Sequence, residues 1–466
     1  MRKKAAIIWF RDNLRISDNH LLSSASREFD KIVPVFIFDD TDWERDEYGN
    51  IKTNVYRTKF LLECVENLRV NLKKLGSNLV VRMGNPPEIL TQLAQEYEVD
   101  LILGSRGITP RQIATDKQLA LKTGALYRRK YVSNLFDSEL LPFNPLTKMP
   151  EIFTSFRKKV EAHCHVHEPV HSPERLTSAP FKDVGEIPSL SHFGFQEPAK
   201  DKRSAFDWKG GEDAAQERLK HYVLESRSVV NFFFKRNRFE GNNISTKLSA
   251  YLSTGCLSPN EVWYAVNKLE KHKKDRNSYW IKLLLLQREY SRALALVKGE
   301  ELFSASGFLN EEKEWKRDET LEKRWKEGRT GIPLVDANMR EIAATGYMSS
   351  KGREVVASYL THDLGIDWRV GAAWFRSLLI DYDVYNNYAN WSRVAQVGHT
   401  RTKSQYVNPV STITEHKGTV EYIKKWVPEL SDVSDDELIR WPMLSKAQRK
   451  KAASNFPDPI KLGDWD

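Results

Sequence analysis

Residues 365–397 read GIDWRVGAAWFRSLLIDYDVYNNYANWSRVAQV. The apolar residues Val370, Trp374, Phe375, Leu378 and Leu379 fall at the spacing of one helical face. Packed against that run are two acids, Asp381 and Asp383, and a polar cluster, Asn386, Asn387 and Asn390. A core helix ending in an exposed acidic turn accounts for the apolar positions. It does not account for acids and amides set directly against them, because buried polar groups are costly unless something pairs with them. A large polar ligand is one such partner.

Working outward, the chain has 466 residues, more than one ordinary core, so two domains are expected. Apolar residues make up 40% of it and aromatic residues 11%, which argues against disorder. No apolar run reaches the ~18 residues a membrane span needs. The opening MRKKAAIIWFRDN has too short an apolar segment for a signal peptide and reads as a first strand. Cys64, Cys164 and Cys256 are odd in number and far apart, which fits a reducing, cytoplasmic setting and no disulfide framework. The net charge of +9 permits binding to a polyanion without requiring it.

Residues 5–10, 32–38, 78–83 and 99–103 are short apolar or β-branched runs separated by helical patterns at Thr58–Leu75 and Pro87–Tyr97. This alternation predicts an α/β domain over residues 1–135, a parallel, Rossmann-like sheet with helices on both faces. No GxGxxG follows the first strand. Residues 136–205 turn rich in proline, serine and histidine and read as an interdomain linker. His163, Cys164, His165, His167 and His171 lie in it, but their spacing matches no closed zinc site, so no metal is expected. From 206 to 466 the pattern is helical, and every tryptophan but Trp9 and Trp43 lies there, so an all-α domain with an aromatic interior is expected.

The motifs IDWR, LIDYD and NNYANW, with WKEGRTGIPLVDANMREIAATGYMSSKGREVVASYLTHDLGIDWR before them, resemble the flavin-binding heart of the photolyase/cryptochrome family. The likeness runs from IIWFRDNLRISDN to NFPDPI, and NLRVNLKKLGSNLVVRMG, LLPF, MPEIFTSFRKKVE and GCLSP bring it nearest the cryptochrome DASH subgroup. The chain ends soon after NFPDPI, so the long tail of signalling cryptochromes is not expected.

That resemblance implies an FAD cofactor. Ser245, Thr246, Lys247, Leu248 and Ser249 match the phosphate clamp, where hydroxyls and backbone donors precede a helix; an ordinary N-cap reads the same residues. Phe232, Trp280 and Arg288 match positions lining the flavin cavity. Arg353 and Asp381 match an ion pair beside the flavin ring, Asp383 a contact near it, and Asn387 the residue facing ring nitrogen N5. A neutral amide there favours the fully reduced flavin anion. Trp391, Trp368 and Trp315 match the tryptophan chain that passes electrons to the excited flavin. Taken singly, each reads as a core aromatic.

Repairing members of the family line the lesion pocket with a glutamate, a tryptophan, an asparagine and a late aromatic. Here those positions hold Leu284, Gln287, Ser350 and Arg393. Stacking contributes ~1–3 kcal/mol per base, so losing two aromatic walls weakens lesion binding by orders of magnitude. The position of the family's folate-contacting glutamate falls on Arg111, or less closely Gln112, and this counts against a methenyltetrahydrofolate antenna. The expectation is therefore a monomeric, cytoplasmic blue-light photoreceptor of DASH type that binds DNA weakly, single strands preferred, and signals to an unidentified partner. Two alternatives stand beside it: a pyrimidine-dimer photolyase acting on single-stranded DNA, and a nucleic-acid-binding regulator with structural flavin.

Overall fold

A computed structural model describes residues 5–226, 228–272, 276–310, 312–398 and 406–461. Strands β1 (Ala5–Phe10), β2 (Lys31–Phe38), β3 (Val80–Met83), β4 (Leu101–Ser105) and β5 (Leu126–Lys130) form one parallel sheet in the order β3-β2-β1-β4-β5. The crossovers carry helices α1 (His20–Glu28), α2 (Val55–Lys74), α3 (Pro86–Glu96) and α4 (Pro110–Lys122). Every residue of β1 is buried, as expected for a central strand covered on both faces. Its side chains alternate between two cores. Ala5, Ile7 and Trp9 pack with Leu90, Leu93 and Leu119, while Ala6, Ile8 and Phe10 join a core continuous with the helical domain.

The fifth strand escaped the sequence reading. Leu126, Tyr127, Arg128, Arg129 and Lys130 are mostly exposed and strongly basic, with none of the apolar signal of a buried strand. Lysine and arginine on an edge strand discourage pairing with another chain, so charge here marks the end of the sheet.

The segment 136–205 is not bare. It holds helix α5 (Phe153–His163), whose Phe156 and Val160 are fully buried in the core shared by both domains. Its later part tracks the α/β domain, with Val81 N–H bonded to Val184 O and Leu176 N–H to Leu75 O, both 2.8 Å. Among the described residues, no three histidine, cysteine, aspartate or glutamate side chains gather where a metal would be held. None of the described helices is long and apolar enough to cross a membrane.

The helical domain comprises α6 (Glu212–Leu219), α7 (Phe232–Lys235), α8 (Ser249–Thr254), α9 (Pro259–His272), α10 (Arg276–Lys298), α11 (Glu319–Lys326), α12 (Pro333–Thr345), α13 (Ser350–Ser358), α14 (Trp368–Leu378) and α15 (Val384–Val394). Four further helices follow: α16 (Ser411–Glu415), α17 (Thr419–Trp426), α18 (Asp435–Ile439) and α19 (Lys446–Ala452).

The RDNLRIS motif after β1 locks the two domains together. Arg15, 1% exposed, donates from Nη1 to Gly255 O and from Nη2 to Val132 O, both at 2.9 Å. Gly255, just past α8, has φ +72, and a Cβ there would come within 1.9 Å of Asp12 O. Glu212 accepts the backbone N–H groups of Ile16 and Ser17 at 2.9 and 2.8 Å. Burial nevertheless pushes its carboxyl up to about 7. The motif therefore holds α6 and α8 over the end of β1, and these helices carry part of the site.

Candidate functional site

Helices α14 and α15 form the centre. Each is capped by an aspartate: Asp367 accepts Arg369 N–H, and Asp383 accepts Asn386 N–H, both at 2.9 Å. Asp383 thus terminates the turn between them, and its Oδ2 lies 3.7 Å from Arg292 Nη1. The other acid of LIDYD points elsewhere. Asp381, its side chain 3% exposed, holds Arg353 of α13, with Nη2 2.9 Å from both carboxylate oxygens. Arg353 Nε also donates to Met348 O at 3.0 Å. Burial works against the arginine's charge, but the adjacent Asp381 carboxylate outweighs it and leaves the guanidinium above its ordinary range.

One turn beyond Asp383, the buried Asn387 donates from Nδ2 to Ala372 O of α14 at 3.1 Å. One turn further comes Trp391, 3% exposed, whose six-membered ring closely approaches Gly371 of α14. A Cβ on Gly371 would come within 2.1 Å of Trp391 Cη2, so only glycine admits the indole this closely. Phe375 meets the same ring edge-on at 5.0 Å, and Trp325 at 6.3 Å.

Trp368 sits one helical turn before Gly371 and is fully buried. Its Nε1 donates to Ala305 O at 3.2 Å. Trp315 Nε1 donates to the same carbonyl at 3.1 Å. Trp315 is only half-buried, and Lys313 Nζ stands 4.3 Å over its ring. The three indoles thus run from the interior through the start of α14 to the surface.

The loop before α8 is shaped from beneath by Arg218 of α6. This side chain donates to the carbonyls of Thr246 at 2.8 Å, Asn242 at 2.9 Å and Ser245 at 3.2 Å. No motif marked Arg218 in the sequence. Its signal is visible only once the loop's carbonyls are seen to converge. Ser245 and Thr246 are half-buried and Ser249 is exposed. Lys247 is buried, adopts φ +57 and lays its Nζ 4.0 Å over the Tyr347 ring. The Arg353 guanidinium faces the same ring at 5.5 Å, so Tyr347 joins the loop to the ion pair. Leu248 occupies the N-cap of α8 and supplies no capping side chain. The first N–H groups of the helix are therefore available to an anion, and the hydroxyls beside them fit a pyrophosphate.

The remaining predicted residues are more scattered. Phe232 is buried at the start of α7. Trp280 packs on Phe233 at 5.3 Å and under Arg236 at 4.5 Å. Arg288 is buried and reaches Ser133 O at 2.6 Å and Leu252 O at 3.3 Å. Trp280 and Arg288 therefore make separate contacts, with α7 and with the interdomain seam. Of the four pocket departures, Leu284, Gln287 and Ser350 are exposed. Arg393 is half-buried with Nη2 3.4 Å from Glu354 of α13.

In the α/β domain, Arg111 forms ion pairs with Asp39 at 2.7 Å and Asp42 at 2.8 Å. Gln112 Oε1 accepts Ile108 N–H at 3.0 Å and Thr109 N–H at 3.2 Å in a capping box, and the Tyr385 hydroxyl of α15 at 3.0 Å.

Comparison with known proteins gives the family and the fold. Residues 6–174 match the family described as DNA photolyase, and residues 283–461 match the FAD binding domain of DNA photolyase. The chain is thus a flavin-binding protein of photolyase fold. Cryptochrome DASH of Xenopus laevis is 38% identical over 99% of this chain and 91% of its own length. Its counterpart from Gloeobacter violaceus is 35% identical over 99% and 93%. The crystal structure of a Synechocystis cryptochrome superposes with a TM-score of 0.94 at 31% identity, covering 99% of this chain and 98% of that one. A bacterial class III photolyase from Agrobacterium tumefaciens gives 0.84 at 28% identity, over 99% and 95%. The chain belongs to the photolyase/cryptochrome family, in its cryptochrome DASH branch.

Proposed function

We propose that this protein is a blue-light photoreceptor in which Trp391, Trp368 and Trp315 pass electrons inward to FAD, with pyrimidine-dimer repair weakened or lost. The flavin, when bound, supplies light absorption and takes up the electron. The observation that carries the reading is the shared Ala305 carbonyl, which brings Trp315 and Trp368 together at their N–H edges. Gly371 then seats Trp391 one turn along from Trp368. Core tryptophans need no such relay, and a path that starts on buried indoles and ends on a half-buried one suits outward hole transfer.

The chain's other residues supply position and charge. The turn 245–249 and the uncapped start of α8 would hold the pyrophosphate, and Arg218 keeps the turn in shape. Arg353 would favour negative charge on a ring bound beside it, while Asp381 keeps the guanidinium in place. Asn387 donates one of its two N–H bonds to Ala372 O, which fixes the amide and leaves its Oδ1 able to accept a ring N–H.

Leu284 carries no acid or hydrogen bond to a dimer carbonyl, and Arg393 is engaged with Glu354. This supports light sensing over repair. DNA binding is then weak and salt-dependent, with single strands preferred. Arg111 and Gln112 are already committed to partners within the protein, which supports an FAD-only chromophore set without methenyltetrahydrofolate. We place the protein in the cytoplasm as a monomer.

The test is Trp368→Phe in FAD-loaded protein under blue light with a thiol reductant. Photoreduction is expected to collapse while flavin content stays unchanged. Photoreduction at the unmodified rate would overturn the reading.

A further inference from the structure

The outermost tryptophan of the proposed path is not in a neutral setting. Lys313 lies two residues before Trp315, and its Nζ stands 4.3 Å over the indole ring. The ammonium is tied there by a hydrogen bond to Ala395 O, at the C-cap of α15, at 3.1 Å. No carboxylate among the described residues lies within ion-pair distance of it. Lys313 is exposed as a residue, and partial burial of its ammonium against the ring lowers its proton affinity.

Such a cation attracts the π face of a neutral indole. The sign reverses once the indole gives up an electron, because two positive charges then face each other across 4.3 Å. The Ala305 carbonyl acts the opposite way, favouring positive charge at either N–H. It does so almost equally for Trp315 and Trp368, at 3.1 and 3.2 Å, so it does not distinguish the two. Lys313 does.

We infer that Lys313 is a charge gate on Trp315, restraining oxidation of the surface tryptophan and biasing a hole toward Trp368. This rests on the light-driven reading proposed above. One electron moves from Trp315 to the hole on Trp368, and one then moves from an external thiol reductant to Trp315. No proton need leave either indole, since both N–H groups stay bonded to Ala305 O. Any acidic group that neutralises Lys313 opens the gate.

The experiment compares Lys313→Met, Lys313→Arg and Trp315→Phe in the full-length, FAD-loaded protein. One readout is the photoreduction rate at limiting thiol. A second needs no flavin chemistry: the protein is treated in the dark with hexachloroiridate, a one-electron oxidant, and oxidised Trp315 is counted by peptide mass spectrometry. Lys313→Met is expected to raise both by at least about five-fold, the scale on which a unit charge acts across ~4 Å even when bulk water screens it. Lys313→Arg keeps the charge and is expected to behave as the unmodified protein.

If Trp315→Phe abolishes photoreduction while Lys313→Met changes neither readout, the gate is refuted and the tryptophan path stands. If Trp315→Phe leaves photoreduction intact, the path itself fails at its outer end. The dark oxidation then decides Lys313 alone: faster Trp315 oxidation in Lys313→Met supports its control of the ring, and an unchanged rate refutes it.

Discussion

Replacing Gly371 by alanine adds one methyl group at the contact that seats Trp391. The new Cβ would lie 2.1, 2.5 and 2.7 Å from three atoms of the indole ring. Carbon atoms settle at ~3.5–4.0 Å, so the ring or its helix must retreat by about 1.5 Å. Overpacking of this kind costs ~1–3 kcal/mol. Gly371 has no left-handed φ, so alanine there gains ~1 kcal/mol of helix propensity, which offsets part of the strain. The net expectation is a loss of ~0–2 kcal/mol, small beside the functional effect. Moving Trp391 changes its spacing to Trp368 and to the site, so photoreduction should fall well beyond what the stability change explains. Thermal unfolding and blue-light photoreduction on the same FAD-loaded sample separate the two. Adding Trp391→Phe should relieve the clash and restore stability without restoring photoreduction. A Gly371→Ala protein that photoreduces at the unmodified rate would refute the claim that this contact positions the first electron donor.

Three further outcomes follow from the same geometry. Asp381→Asn leaves the Arg353 guanidinium without its carboxylate; breaking a fully buried pair costs ~3–5 kcal/mol, but that side chain is 27% exposed, so about 1–3 kcal/mol is expected here. The flavin-to-protein absorbance ratio after gel filtration should drop with it, and full loading at unchanged stability would contradict the pair's role. Burial pushes the Glu341 carboxyl from the usual 4.5 up to about 7, with the Tyr422 hydroxyl bonded to it at 2.7 Å. The folded state then binds more protons than the unfolded state over that window, so this group's contribution to stability is lost as pH rises from about 5 to 8. Glu341→Gln should flatten the fall in melting temperature across that range, and an unaltered slope would show that Glu341 is ionised throughout. Finally, purified protein should show flavin absorbance with no folate band, and a stoichiometric folate would overturn the reading of Arg111 and Gln112.

Much of the architecture was legible because it depends on patterns that survive in one dimension. Four strands carry apolar runs, and the helical half carries periodic aromatics. The ion pair of Arg353 with Asp381 was legible through the order of LIDYD and SSKGR. What sequence could not convey is what convergence creates. Nothing marks the Ala305 carbonyl as an acceptor for two tryptophans, since any residue offers a carbonyl. Gly371 looks like a weak point in a helix until an indole lies on it. Arg218 and Lys313 look like ordinary surface charges, because their partners come from loops far away in the chain or from backbone atoms. Strand β5 was lost because an exposed edge has no reason to be apolar.

The central claim is that this site keeps its flavin chemistry while losing its lesion contacts. The measurement that tests it most directly is blue-light repair of a single-stranded oligonucleotide carrying one thymine dimer, with FAD content and photoreduction verified in the same sample. No repair from a fully loaded, normally photoreducing protein is the predicted result. Repair at a clear rate would contradict the account, showing that Leu284, Gln287, Ser350 and Arg393 form a working pocket and that the protein is a photolyase.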